Sequence, residues 1–90
     1  MADIQIKKPH SFSREEAKRL IKTTINNIGE SLDLICQWNG YICNFKGSAT
    51  GYLVIKDYTI EITADLSFAA KLLKSTIERM IEEELNQVIG

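Results

Sequence analysis

His10 stands between Pro9 and Ser11, with Ser13 close behind and the charged run Arg14-Glu15-Glu16 after it. A histidine beside serines is the pairing that nucleophilic hydrolysis uses: the imidazole takes the hydroxyl proton while a third group orients the ring. That chemistry also needs an acidic partner and oxyanion donors on a glycine-rich nucleophile turn, and none accompanies Ser11. His10 is the sole histidine of the chain and reads as a loop or packing residue. One histidine with two cysteines, Cys36 and Cys43, does not supply the four clustered ligands of a structural zinc site. No catalytic residue, metal ligand or cofactor site is assigned, and the chain is expected not to be an enzyme.

Ser13 has a different task. Glu16 follows it by three residues, the spacing of a capping box, in which the serine hydroxyl accepts from the Glu16 amide and the glutamate reaches back. Glu15 and Glu16 also fall in a first turn, where the helix dipole favours anions. Phe12, just before the cap, is placed to pack on Ala17 as a hydrophobic staple. Ala17, Leu20, Ile21, Thr24, Ile25 and Ile28 recur at helical spacing and predict one buried stripe, with Gly29 as the C-cap. Arg14, Lys18 and Lys22 form a basic stripe on the same helix. It reads as a solvated face, because no aromatic residues interleave with it as a single-strand nucleic-acid platform requires. Eleven basic against twelve acidic residues, a net charge of −1, give no electrostatic case for nucleic acid either.

The remaining elements follow from periodicity. Ninety residues suit one domain, 1–90, with a modest core. No apolar run is long enough to span a bilayer, and "MADIQIKKPH" carries no signal-peptide apolar region, so a cytoplasmic location is expected. Asp3 to Lys8 alternate as a short strand that Pro9 stops. From Asp33 to Ala64 the period is two. "QWNGYIC" carries Asn39-Gly40 between apolar alternations, a strong hairpin signal. A two-residue turn there pairs Trp38 with Tyr41 and Cys36 with Cys43, putting Leu34, Cys36, Trp38, Tyr41, Cys43 and Phe45 on one face. The facing cysteines are either a redox pair or two buried thiols acting as small hydrophobes; a reducing compartment favours the second.

Register through "GSATG" is set by the pattern after it. An odd-length loop or a glycine bulge lands Leu53, Ile55, Tyr58, Ile60 and Ile62 on the core face, whereas a four-residue loop would put Tyr52 and Val54 there, with Glu61 after a two-residue turn. "KDYT" makes the last tight turn. Ile35, Ile42, Tyr52 and Val54 are then left on the outer face, where a contiguous patch would mark a contact surface.

Ser67 to Ile89 reads as one long helix capped by Asp65 or Ser67. Its apolar positions are doubled (Phe68/Ala69, Leu72/Leu73, Met80/Ile81, Val88/Ile89), a stripe wider than one sheet contact needs. The helix is expected to lie diagonally across the sheet or to overhang it, with Leu85, Val88 and Ile89 on the overhanging end. Lys71 and Lys74 precede Glu78, Glu82, Glu83 and Glu84, opposite to what the helix dipole favours. Either these charges serve solubility, or antiparallel pairing with a second copy sets lysines beside glutamates in a homodimer. The fold expected is α+β in the order β-α-β-β-β-β-α, an antiparallel sheet packed on one face by two helices.

The order of "PHSFSREEA", "QWNGYICNF", "GSATG" and "DLSFAAKLLKSTIERMIEEEL" resembles the polyhydroxyalkanoic acid system proteins, also described as polyhydroxyalkanoate granule regulators. The resemblance runs from about Ile4 to Leu85; Tyr41 departs from it, standing where the family commonly has an acidic residue. It implies a bacterial protein connected with a storage polyester and the surface of its granules, and it brings no catalytic residues. A granule-associated or regulatory binding protein would then contact the polymer or a granule-coat protein through Ile35, Ile42, Tyr52 and Val54, with Leu85, Val88 and Ile89 next. The alternative is a reduced helix-grip-like module that binds a small apolar, hydroxyacyl-type ligand between sheet and C-terminal helix. Trp38, Tyr41, Phe45 and Tyr58 would line that pocket.

Overall fold

The computed structural model describes residues 2–90. The chain forms β1 (Ile4–Pro9), α1 (Arg14–Ser31), β2 (Ile35–Asn39), β3 (Ile42–Lys46), β4 (Ala49–Lys56), β5 (Thr59–Leu66), α2 (Phe68–Lys71) and α3 (Lys74–Ile89). The strands make one antiparallel sheet in the order β1-β5-β4-β3-β2. Helices α1 and α3 pack together over one face. The α+β architecture and its order are those expected from periodicity, with the final helical segment in two pieces.

Ser13 caps α1 as its spacing requires, accepting from the Glu16 amide at 3.3 Å. The reciprocal half of the box is absent, because the Glu16 carboxylate pairs with Arg19 one turn on. That hydrogen bond and charge hold the Glu16 carboxyl below its ordinary range. Gly29 does not end the helix. α1 continues to Ser31 and closes in a Schellman motif: Asp33 turns to φ 56°, its amide donates to the Glu30 carbonyl, and the Leu34 amide donates to that of Gly29. Gly29 is needed for a different reason, since a Cβ there would stand 2.7 Å from Cys36 Sγ. It lets α1 lie close against β2.

The "PHSF" segment is a clip. The His10 amide donates to the Tyr58 carbonyl and the Tyr58 amide to that of Phe12, while the Arg14 amide donates to Asp57. Both His10 ring nitrogens are engaged: Nδ1 accepts from the Phe12 amide at 3.1 Å, and Nε2 lies 3.0 Å from the Lys56 carbonyl. The buried imidazole fastens the β1–α1 loop to the β4–β5 turn. Ser11 is exposed and takes no part.

The hairpin register differs from expectation by two residues. Asn39 pairs with Ile42, so Gly40-Tyr41 forms the turn, Trp38 faces Cys43 and Cys36 faces Phe45. Gly40 takes φ 63° at the first turn position, the geometry a tight hairpin turn with this hand demands. A shift of two preserves every face, so the apolar set still points at the helices. The cysteines are diagonal neighbours and both are free thiols. Phe45 pairs with Gly51, which gives the odd-length connection that keeps Leu53, Ile55, Ile60 and Ile62 buried. Gly47, at φ 143°, supplies the loop's unusual backbone. Tyr58 does not join the core face: it occupies the β4–β5 turn at φ 66° and is exposed.

The C-terminal segment is not one helix. Ser67 caps α2 by accepting from the Ala70 amide at 3.2 Å, the helix breaks at Leu72-Leu73, and α3 starts at Lys74. Ile77, Ile81, Leu85 and Ile89 form the buried stripe of α3.

Candidate surface-contact sites

The sheet face away from the helices is open. Across it, Ile42 pairs directly with Val54, and Tyr52, paired with Asn44 and Thr63, is diagonal to Ile42. Ile42 is 40% and Tyr52 44% exposed, with Val54 half-buried beside them. These side chains make one small apolar patch, bordered by Asn44, Glu61 and Thr63. Lys56 pairs with Glu61 at 3.0 Å along its edge, and that contact holds the Glu61 carboxyl below its ordinary range. Ile35 is exposed on the same face, but it pairs with Lys46 at the far end of β2 and stands apart from the patch.

The expected contact residues of the last helix lie elsewhere. Leu85 is wholly buried and Ile89 nearly so, with Val88 half-buried, because α3, packed beside α1, turns this stripe into the core instead of overhanging the sheet. The protruding apolar side chains are Phe68, Leu72 and Leu73, at the break between α2 and α3. The doubled apolar spacing of the segment was the signal for them. A single sheet contact consumes half of such a pattern, and the break exposes the other half.

The expected pocket lining is also dispersed. The space between helices and sheet is an apolar cavity of about 40 Å³, bounded by Ile25, Ile28, Phe45, Leu53 and Ile81 among others. Of the aromatic candidates only Phe45 borders it. Tyr58 is in its turn, and Trp38 and Tyr41 lean against α1. There the Arg14 guanidinium lies 4.6 Å from the Tyr41 ring centre, and the Lys18 ammonium lies 5.3 Å from that of Trp38 and 5.6 Å from that of Tyr41. Trp38 Nε1 donates to Asn26 at 3.2 Å. Aromatic residues therefore do interleave with the basic stripe, contrary to the sequence expectation, because the hairpin folds back beside the helix. The cations meet these rings, so the cluster straps the hairpin tip to α1.

Cys43 is buried, and burial together with neighbouring Cys36 pushes its thiol up to about 12. A thiol held protonated is a poor nucleophile and a poor metal ligand. Among the described residues no helix is long and apolar enough to cross a membrane.

No curated protein and no solved structure matches the chain. One family model does, that of the "Putative polyhydroxyalkanoic acid system protein", over residues 4–89. With the match extending from β1 to the end of α3, the chain belongs to the polyhydroxyalkanoic acid system protein family.

Proposed function

We propose that the protein is a non-enzymatic, granule-associated or regulatory member of a polyhydroxyalkanoate system. It acts in the cytoplasm through apolar contact between its open sheet face and the polyester or a granule-coat protein. The observation that supports this reading is the pairing of Ile42 with Val54, with Tyr52 diagonal to them, on a face that no helix covers in a chain of this family. Aromatic and branched apolar side chains held on a sheet give a water-excluding surface without ordering a loop, which keeps the entropic cost of contact low. Ile35 serves as an outlying contact.

A hydroxyacyl ligand held inside the fold has less support. Pockets for small molecules occupy about 300–1,000 Å³, and the interior space here is about 40 Å³. Pairing of two copies along α3 would be a charge match of Lys74 with Glu82 and Glu83, which are exposed, since the apolar stripe is already buried. Sedimentation equilibrium reads it directly. The test of the leading proposal is co-sedimentation with polyhydroxybutyrate granules, with polystyrene beads and lipid droplets as controls. Saturable binding to the polyester alone supports it, and equal binding to all three surfaces refutes it.

A further inference from the structure

Phe68, Leu72 and Leu73 stand out from the turn that carries the chain from β5 into α3. They are 89%, 85% and 57% exposed, while Ala70 among them is buried and anchors the turn. Phe68 and Leu72 are four residues apart, so they stack as one ridge. Side chains exposed to this degree protrude instead of lying flat. Lys71 and Lys74 flank the ridge; both are exposed, and neither makes an ion pair among the described residues. α3 begins with no side-chain cap and no acidic residue in its first turn, so the partial positive charge of its N-terminus adds to the two ammonium groups. Along the chain the adjoining acidic residues are Asp65, before the Ser67 cap, and Glu78, a turn into α3.

We propose that this knuckle is a peripheral anchor for an anionic phospholipid interface. Phe68, Leu72 and Leu73 enter the acyl-chain region, and Lys71 and Lys74 contact the headgroup phosphates. A second copy of the chain is a poorer occupant. A two-fold contact centred on the ridge would bring Lys71 and Lys74 against their own counterparts, like charges at close range. A deformable apolar medium bordered by anions satisfies both halves of the surface. The anchor uses residues separate from the open sheet face and does not depend on polyester binding.

The experiment is sedimentation of the full chain with phosphatidylglycerol vesicles and, separately, phosphatidylcholine vesicles. The wild-type chain is compared with Phe68→Ser/Leu72→Ser, Lys71→Glu/Lys74→Glu and Tyr52→Ser variants. The expected result is phosphatidylglycerol binding at least tenfold tighter than phosphatidylcholine binding. Phe68→Ser/Leu72→Ser loses at least tenfold, Lys71→Glu/Lys74→Glu loses the preference for the anionic lipid, and Tyr52→Ser binds as wild type. An unchanged thermal midpoint establishes that the variants fold, since every substituted side chain is exposed. Three results overturn the proposal: no binding by the wild type, unchanged binding by Phe68→Ser/Leu72→Ser, or a wild-type dimer that this variant converts to monomer. The last would assign the ridge to a second copy. Polyester binding is read separately with Tyr52→Ser, so the failure of one surface is distinguishable from the failure of the other.

Discussion

The Lys18 ammonium lies 5.3 Å from the ring centre of Trp38, linking the outer edge of α1 to a hairpin twenty residues further along the chain. Arg14 over Tyr41 repeats the contact beside it. Exposed cation–π pairs contribute about 0.5–1 kcal/mol each. We expect Lys18→Ala and Tyr41→Ala to couple by about that amount in a double-mutant cycle of urea unfolding. Additive losses would show that Lys18 and Tyr41 do not stabilise one another.

Two glycines test the sheet. A Cβ on Gly51 would collide with the Thr63 carbonyl oxygen of the neighbouring strand, while one on Gly40 would meet nothing within 4 Å. Gly51→Ala must push β4 and β5 apart and is expected to cost about 3 kcal/mol or to prevent folding. Gly40→Ala bears only the strain of its φ of 63°, about 1 kcal/mol. Equal losses from the two variants would contradict the register.

The final helix separates buried from protruding leucines. Leu85 is fully buried, and Leu85→Ala should cost about 2–5 kcal/mol. Leu72→Ala, at a side chain 85% exposed, should change stability by no more than about 0.5 kcal/mol. Thermal denaturation of both variants checks the placement, and the reverse ranking would mean that α3 lies on the sheet by a different face.

Cys43 gives a pH signature. Its thiol titrates at about 12 in the fold against an ordinary value of 9.0. Above pH 9 the unfolded chain releases this proton and the folded chain retains it. The contribution is therefore complete below pH 9 and is lost as pH rises toward 12. Between pH 8 and pH 10.5 the wild type should lose more unfolding free energy than Cys43→Ala. Equal losses would place the thiol in a wetter site.

Much of this was legible because local signals agreed with tertiary demand. Ser13 announced one helix start, Ser67 was one of two candidates with Asp65 for the other, and the alternating apolar residues from Leu53 to Ile62 indicated which face of the sheet is buried. The misreadings share one cause, that several local solutions satisfied the same pattern. Gly29 suited a C-cap, but Asp33 adopts the left-handed conformation further on, and the cap moves three residues, to Leu32. Asn39-Gly40 suited a turn, but moving it to Gly40-Tyr41 preserved every face. The apolar stripe after Ser67 satisfied a single long helix, yet α2 packs its buried Ala70 beside β5 and the helix breaks at Leu72-Leu73 before α3 begins. Contacts such as Lys18 with Trp38 have no local signature at all, since they arise only when the sheet returns beside α1.

The central claim is that the open sheet face makes the apolar contact, with the polyester or with a granule-coat protein. Its most direct test is the binding isotherm of the purified protein on polyhydroxybutyrate granules, measured for wild type and for Tyr52→Ser/Val54→Ser. We expect saturable binding by the wild type and at least a tenfold loss in the variant, with an unchanged thermal midpoint. Wild-type binding that persists undiminished in the variant would contradict the account, and binding absent from the outset would exclude the polyester as the partner of this face.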